Sequence, residues 1–207
     1  MGRSPTNTRE KLIETAIDLI WQSSYGSVSV DEICKVADVK KGSFYHYFPS
    51  KVDLAVAAMD QHFKDKIPAL DAALSPSIPP LQRLENLADL VCEKQREAKE
   101  KYGHICGCAF AALGSEMAGL EEAIRAKTDE IFACHRKYVQ TTLRDLIAEG
   151  LLAADTDVAA KADEIETLIL GSMMMARIQN SMTPLTRDLK SGIFRIIGVA
   201  EKTTAAE

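Results

Sequence analysis

The sequence predicts an all-α fold, a short three-helix unit followed by a larger helical body. Three observations lead there. Apolar residues recur at helical spacing, as in Leu12, Ile13, Ala16, Ile17, Leu19 and Ile20. A Ser or Asn followed three residues later by an acidic residue stands before several of these runs, the spacing of a capping box. Gly and Pro punctuate the runs, and none shows the strict alternation of a strand.

Taken in order, the first helix, "NTREKLIETAIDLIWQSS", opens with Asn7 and Glu10 in capping-box spacing and stops at "SSYGS", where Gly26 suits a left-handed cap. Ser29 and Glu32 open the second helix, and Asp38 sits in a turn that needs a residue tolerant of left-handed geometry. A third, short helix runs from about Lys40 through Tyr47 and ends at Pro49. Ser50 and Asp53 open a long helix through Met59 and Phe63, which Pro68 should end or kink. "SPSIPP" at 75–80 reads as a linker, and further helices follow at roughly 81–101, 106–118, 120–149, 157–181 and 184–199. The expected domains are 1–52 and 53–207.

Composition narrows the class. The chain of 207 residues is 46% apolar, enough for one large core or two small ones. No run approaches the roughly 20 apolar residues of a membrane span. Five cysteines without an apolar leader point to reduced thiols and a cytoplasmic protein, with no membrane partner. The net charge of −5 argues against a protein that simply coats nucleic acid, but it is uneven: residues 1–51 carry +1 and the remainder −6. The first quarter is the part suited to a phosphate backbone.

That quarter holds "KVADVKKGSFYHYFPSK", four aromatic rings among five positions with lysines on both sides. Two short helices joined by a tight turn read as a helix-turn-helix, whose second helix enters the DNA major groove. Lys40, Lys41, Ser43 and Tyr45 then stand near its start, and Gly42 lets the backbone come close. Phe44 and Phe48, four apart, share a face and should pack on the first helix near Trp21. Tyr45, His46 and Tyr47 fan outward toward phosphate oxygens, and Lys51 at the next helix start should favour another.

On these residues the segment "SVSVDEICKVADVKKGSFYHYFPSKVDLAVAAM" resembles the DNA-binding region of TetR/AcrR-family transcriptional repressors. The resemblance implies a three-helix DNA-binding domain followed by a ligand-binding, dimer-forming body. Cys34, Asp38 and Lys40 stand where that family more often has Ala, Gly and Ser, which bears on the operator sequence and not on the fold.

In the body, "KYGHICGCAFAALGSEMAGLEEAIRAK" is the unusual piece. His104, Cys106 and Cys108 crowd a glycine-broken helix start. A metal set completed by Cys134 and His135 has the wrong cysteine spacing, so no metal or cofactor is expected. The thiols fit small core residues or include a reactive thiol, since a cysteine in a helix's first turn gains thiolate character. Together with "MMMARIQNSMTPL", the segment is similar to the electrophile-responsive, NemR-like subgroup of the family. That resemblance implies Cys108 as the sensor thiol with Arg177 beside it, where the subgroup has Lys; an Arg stabilises a thiolate but is a poor covalent partner for oxidised sulfur. Phe110, Met117, Phe132, His135, Tyr138 and Met174 are further pocket candidates, alongside Cys106.

The last two helices are apolar around much of their circumference, with Gly171, Ser172, Ser191 and Gly192 permitting close approach. A homodimer would bury that surface. The expected function is a repressor released from palindromic double-stranded operator DNA by a small-molecule or thiol-reactive inducer. A noncovalent aromatic or hydrophobic ligand with silent cysteines is the alternative. An enzyme using Cys108 and His135 is disfavoured, because no oriented Cys–His–carboxylate set stands out.

Overall fold

The computed structural model describes residues 5–199, with side chains from Thr8 onward. Its helices are α1 (Pro5–Gln22), α2 (Val30–Val36), α3 (Lys41–Tyr47), α4 (Lys51–Ala73), α5 (Pro80–Tyr102), α6 (Ala109–Met117), α7 (Glu122–Ala148), α8 (Val158–Gln179), α9 (Thr183–Thr186) and α10 (Leu189–Ile197). Among the described residues there is no strand. The all-α expectation holds. The helices form two compact units, one from the chain up to Ile67 with Ala109–Ile131, the other from Pro68–Cys108 with the chain from Phe132 onward.

In the first unit α1, α2 and α3 pack mutually. Leu12, Ala16, Ile33, Phe44, Leu54 and Met59 are fully buried there. Trp21 meets His62 and Phe110 edge-on, at ring centroid distances of 4.8 and 6.2 Å. Phe44 and Phe48 are both buried and lie 6.1 Å apart, and Phe48 reaches α1 through the Arg9 guanidinium 5.5 Å above its ring. Ser29 caps α2 by accepting the Glu32 N–H at 3.1 Å, and Asp38 turns the chain at φ +52°. Both follow the sequence reading.

Three local expectations are corrected. α1 begins at Pro5, so Asn7 lies inside the helix. Proline suits a first helical position, because its fixed φ and missing N–H cost nothing there. Gly26 is not among the left-handed residues. A Cβ there would come 2.9 Å from a Glu116 oxygen, so a side chain would have to displace that carboxylate. α4 runs through Pro68 to Ala73, so of the two expectations for this proline, an end or a kink, the end is ruled out. Leu70 and Leu74 are buried beyond it, and such burial offsets one missing backbone bond.

In the second unit α10 lies on α8 and α5, burying Leu189, Ile193, Phe194 and Ile197. Gly192 admits Leu168, whose Cδ2 is 2.7 Å from where a Cβ would stand. The expected helix at 184–199 is two: α9 ends before Arg187 and Asp188, which pair side chain to side chain at 2.7 Å. Buried Arg83 fastens the "SPSIPP" linker. Its guanidinium donates to the carbonyls of Ile78 (2.6 Å) and Pro76 (3.2 Å) and to Asp145 (2.5 Å), so the buried charge is paired on every side.

Candidate DNA-binding face and thiol segment

The turn at Asp38 sets α2 against α3 and leaves an open groove of about 810 Å³, lined in part by Lys11, Lys35, Lys40, Ser43, His46 and Tyr47. Lys40 is the N-cap of α3 and makes no side-chain cap bond, since an ammonium has no acceptor to offer a helix N–H. Tyr45 is 51% exposed, its ring edge-on to Phe44 at 5.1 Å. His46 meets Tyr47 edge-on at 5.0 Å. Around Gly42 an added Cβ would meet nothing within 4 Å, which leaves that stretch of α3 backbone open to a close partner.

Two of the lysines are held within the protein. Lys41 pairs with Asp31 at 2.7 Å, which raises the lysine pKa. Lys51 turns back onto the α1–α2 turn, where its ammonium donates to the Tyr25 carbonyl and stands 3.9 Å from the Tyr25 ring centroid. Burial lowers its pKa, with Glu116 opposing. Lys51 is therefore a brace of the head in this state, a role that one lysine at a helix start does not advertise in sequence.

The segment 103–108 links α5 to α6. Gly103 ends α5 in left-handed geometry. Gln95, 4% exposed, then holds Gly107 from both sides: the Gly107 N–H donates to its Oε1 at 2.9 Å, and its Nε2 donates to the Gly107 carbonyl at 3.1 Å. The Ile105 N–H donates to Asn180 Oδ1 at 3.1 Å, an acceptor presented by the left-handed cap of α8. Gly107 itself is at φ +70°, with Arg177 Cβ and Cδ and the Met173 carbonyl all 3.3 Å from a hypothetical Cβ. Only glycine meets both the backbone and the spatial demand.

This places the thiols. Cys106 is buried, and His104 Nε2 lies 3.8 Å from its sulfur while His104 Nδ1 is 3.1 Å from the Tyr102 carbonyl. A carbonyl only accepts, so Nδ1 is the donor and a neutral His104 turns its Nε2 lone pair to the thiol. Burial pushes the Cys106 thiol up, and the Arg177 charge pulls it partly back. Cys108 is half-buried and is the residue before Ala109, so it precedes α6 and does not sit in its first turn. Arg177 is thus brought to Gly107 and Cys106. Gln95 and Asn180 were not singled out by sequence reasoning, because a single amide in a polar helix carries no pattern.

The other pocket candidates divide between the units. Phe110 and Met117 are buried in the first, where Phe110 joins Trp21, His62 and Phe63 in a ring cluster. In the second, Phe132 and His135 lie 6.1 Å apart, and the Tyr138 hydroxyl donates to Asp71, which pushes the phenol up to about 12. Met174 is 38% exposed on α8. Among the described residues no group of three or more His, Cys, Asp or Glu side chains is arranged to hold a metal, and no helix is long and apolar enough to cross a membrane.

A short helix set across a tight turn, cation-lined and backbone-accessible, with further helices following it in the chain, defines a helix-turn-helix DNA-binding protein. Residues 12–58 match the model of bacterial regulatory proteins of the tetR family, and residues 80–191 match the tetracyclin repressor-like C-terminal domain. The chain belongs to the TetR family of transcriptional regulators. It is 32% identical to the transcriptional regulator AcuR of Cereibacter sphaeroides over 85% of this chain and 79% of that one. It is 27% identical to the repressor NemR of Escherichia coli, over 88% and 90%. Among solved structures, a regulatory protein TetR from Rhodobacter sphaeroides superposes with a TM-score of 0.75 at 31% identity, covering 91% and 96% of the two chains. The reduced form of E. coli NemR does so with 0.78 at 26%, covering 94% and 100%. These relatives are regulators and not enzymes.

Proposed function

We propose that this regulator is a homodimeric repressor that leaves a palindromic operator when a thiol-reactive signal modifies Cys108. Two-fold symmetry demands two half-sites about 34–36 Å apart or a multiple of that. Lys40, Gly42, Ser43, Tyr45, His46 and Tyr47 are the residues offered to DNA, with Lys41 and Lys51 supporting them from Asp31 and Tyr25. A near-complete switch requires the signal to favour the DNA-incompetent state by about 10⁴-fold.

The observation that carries the thiol reading is the contrast among the cysteines. Cys34, Cys92 and Cys106 are buried, and burial pushes each thiol up. Cys108 and Cys134 are half-buried, and of the two Cys108 stands at the end of a segment pinned by Gln95, Asn180 and the glycine at 107. Bulk or charge added to its sulfur falls where the chain leaves that clamp and starts α6. The solved relative NemR, 26% identical, is described in a reduced form, which supports a redox-responsive reading.

Brief limiting treatment with a small electrophile, followed by mass spectrometry, should label Cys108 ahead of Cys34, Cys92, Cys106 and Cys134. Cys108→Ser should bind operator and fail to release it on treatment. Normal release in Cys108→Ser would remove the thiol from the mechanism and favour a noncovalent ligand.

A further inference from the structure

We infer that Glu116 is a positioning residue for operator recognition: its carboxylate fixes the α1–α2 turn of the DNA head on α6. Both oxygens are used. Oε2 accepts the Tyr25 N–H at 2.9 Å and Oε1 accepts the Gly26 N–H at 2.6 Å. The turn is gripped from its other side as well, since Lys51 at the start of α4 donates to the Tyr25 carbonyl and covers the Tyr25 ring. Tyr25, 8% exposed, is thereby held through its N–H, its C=O and its ring at once. The charges of Glu121 and Glu116 add to burial in raising its phenol pKa.

The fit is close. Gly26 has no left-handed backbone to explain it. A would-be Cβ stands 2.9 Å from Glu116 Oε1, close enough that it would push the carboxylate off the turn. α6 in turn is seated firmly in the same unit. Phe110, Leu113 and Met117 are buried, and Gly114 admits Thr128 of α7, whose Cγ2 and Oγ1 both lie 2.8 Å from a Cβ position. A helix so seated presents its carboxylate at a fixed point, and the turn takes its place from that point. Glu116 is itself solvent-exposed, so the bonds are screened and their importance lies in position more than in stability.

The consequence rests on the dimer reading above. Two heads that read a palindrome must keep their separation, whereas a single half-site makes no such demand. Loosening the turn from α6 therefore costs affinity for the palindrome selectively. A mere folding staple would instead weaken all DNA binding together.

The test uses the full chain and two duplexes: the palindrome that the wild-type protein enriches from a random pool, and the same duplex with one half-site scrambled. Glu116→Ala should reduce the preference for the palindrome about ten-fold, a difference of about 1.4 kcal/mol, with scrambled-duplex binding and the thermal midpoint unchanged. Gly26→Ala should do the same by displacing the carboxylate, and should add nothing in the Glu116→Ala background. Preference retained in Glu116→Ala overturns the inference, as does an additive Gly26→Ala effect. Equal loss on both duplexes with a lowered midpoint makes Glu116 a folding staple and also overturns it. A wild-type protein with no preference for the palindrome overturns the dimer reading first, and this inference with it.

Discussion

Gly107 shows how much one residue carries in the thiol segment. Its φ of +70° costs any L side chain about 1–2 kcal/mol. Its surroundings add the Arg177 stem and the Met173 carbonyl at 3.3 Å. Gly107→Ala should therefore lower stability by about 2 kcal/mol in denaturant titration, and should raise Cys106 labelling as the Gln95 clamp loosens. The glycine and its two cysteines stood out in the sequence, where a broken helix start is visible. The clamp did not. Gln95 and Asn180 reach Gly107 and Ile105 from 12 and 75 positions away, and nothing local marks an amide for such service. Lys51 teaches the same lesson from the other direction. Its place at a helix start suggested a phosphate, yet the Tyr25 carbonyl and ring lie within its reach once the chain is folded.

Among the helices, those bounded by local chemistry were legible. The Ser29 cap of α2 is such a boundary, with its hydroxyl on the Glu32 amide. Ser29→Ala should cost about 1 kcal/mol, within the range for a lost N-cap, and the loss should appear as faster amide exchange at the start of α2. Boundaries settled by packing were less legible. α4 crosses Pro68 because apolar residues on the far side are buried, so burial outweighed the missing N–H. The last predicted helix breaks at Arg187 and Asp188 into α9 and α10, with no Gly or Pro at the break to announce it.

Assembly turns on how the two units dispose of apolar surface. The sequence pointed to both of the last helices as an interface, and the fold separates their faces. α10 turns its apolar side inward, with Gly192 filled by Leu168. α8 keeps an outward strip of Thr167, Gly171, Met174, Met175 and Ile178, exposed at spacings of three and four. A Cβ at Gly171 would meet nothing within 4 Å, so a larger residue there does not disturb the single chain. Gly171→Glu should thus leave the stability of the isolated subunit within about 0.5 kcal/mol of wild type, as surface changes do. It should also abolish association in sedimentation runs at micromolar concentration, and palindrome binding with it. A wild-type protein that sediments as a monomer would refute the dimer.

The all-α class, the order of helices, the helix-turn-helix and the glycine-flanked thiols were all readable from the chain alone. Each depends on interactions within about four residues, where side-chain period, caps and breakers act directly on the backbone. The Gln95 clamp, the bracing of Tyr25 by Glu116 and Lys51, the continuation of α4 past Pro68 and the choice of which apolar face stays outward were decided by folding. The contacts among them join residues from 12 to 91 positions apart, and their partners are selected by packing geometry, which no local spacing encodes.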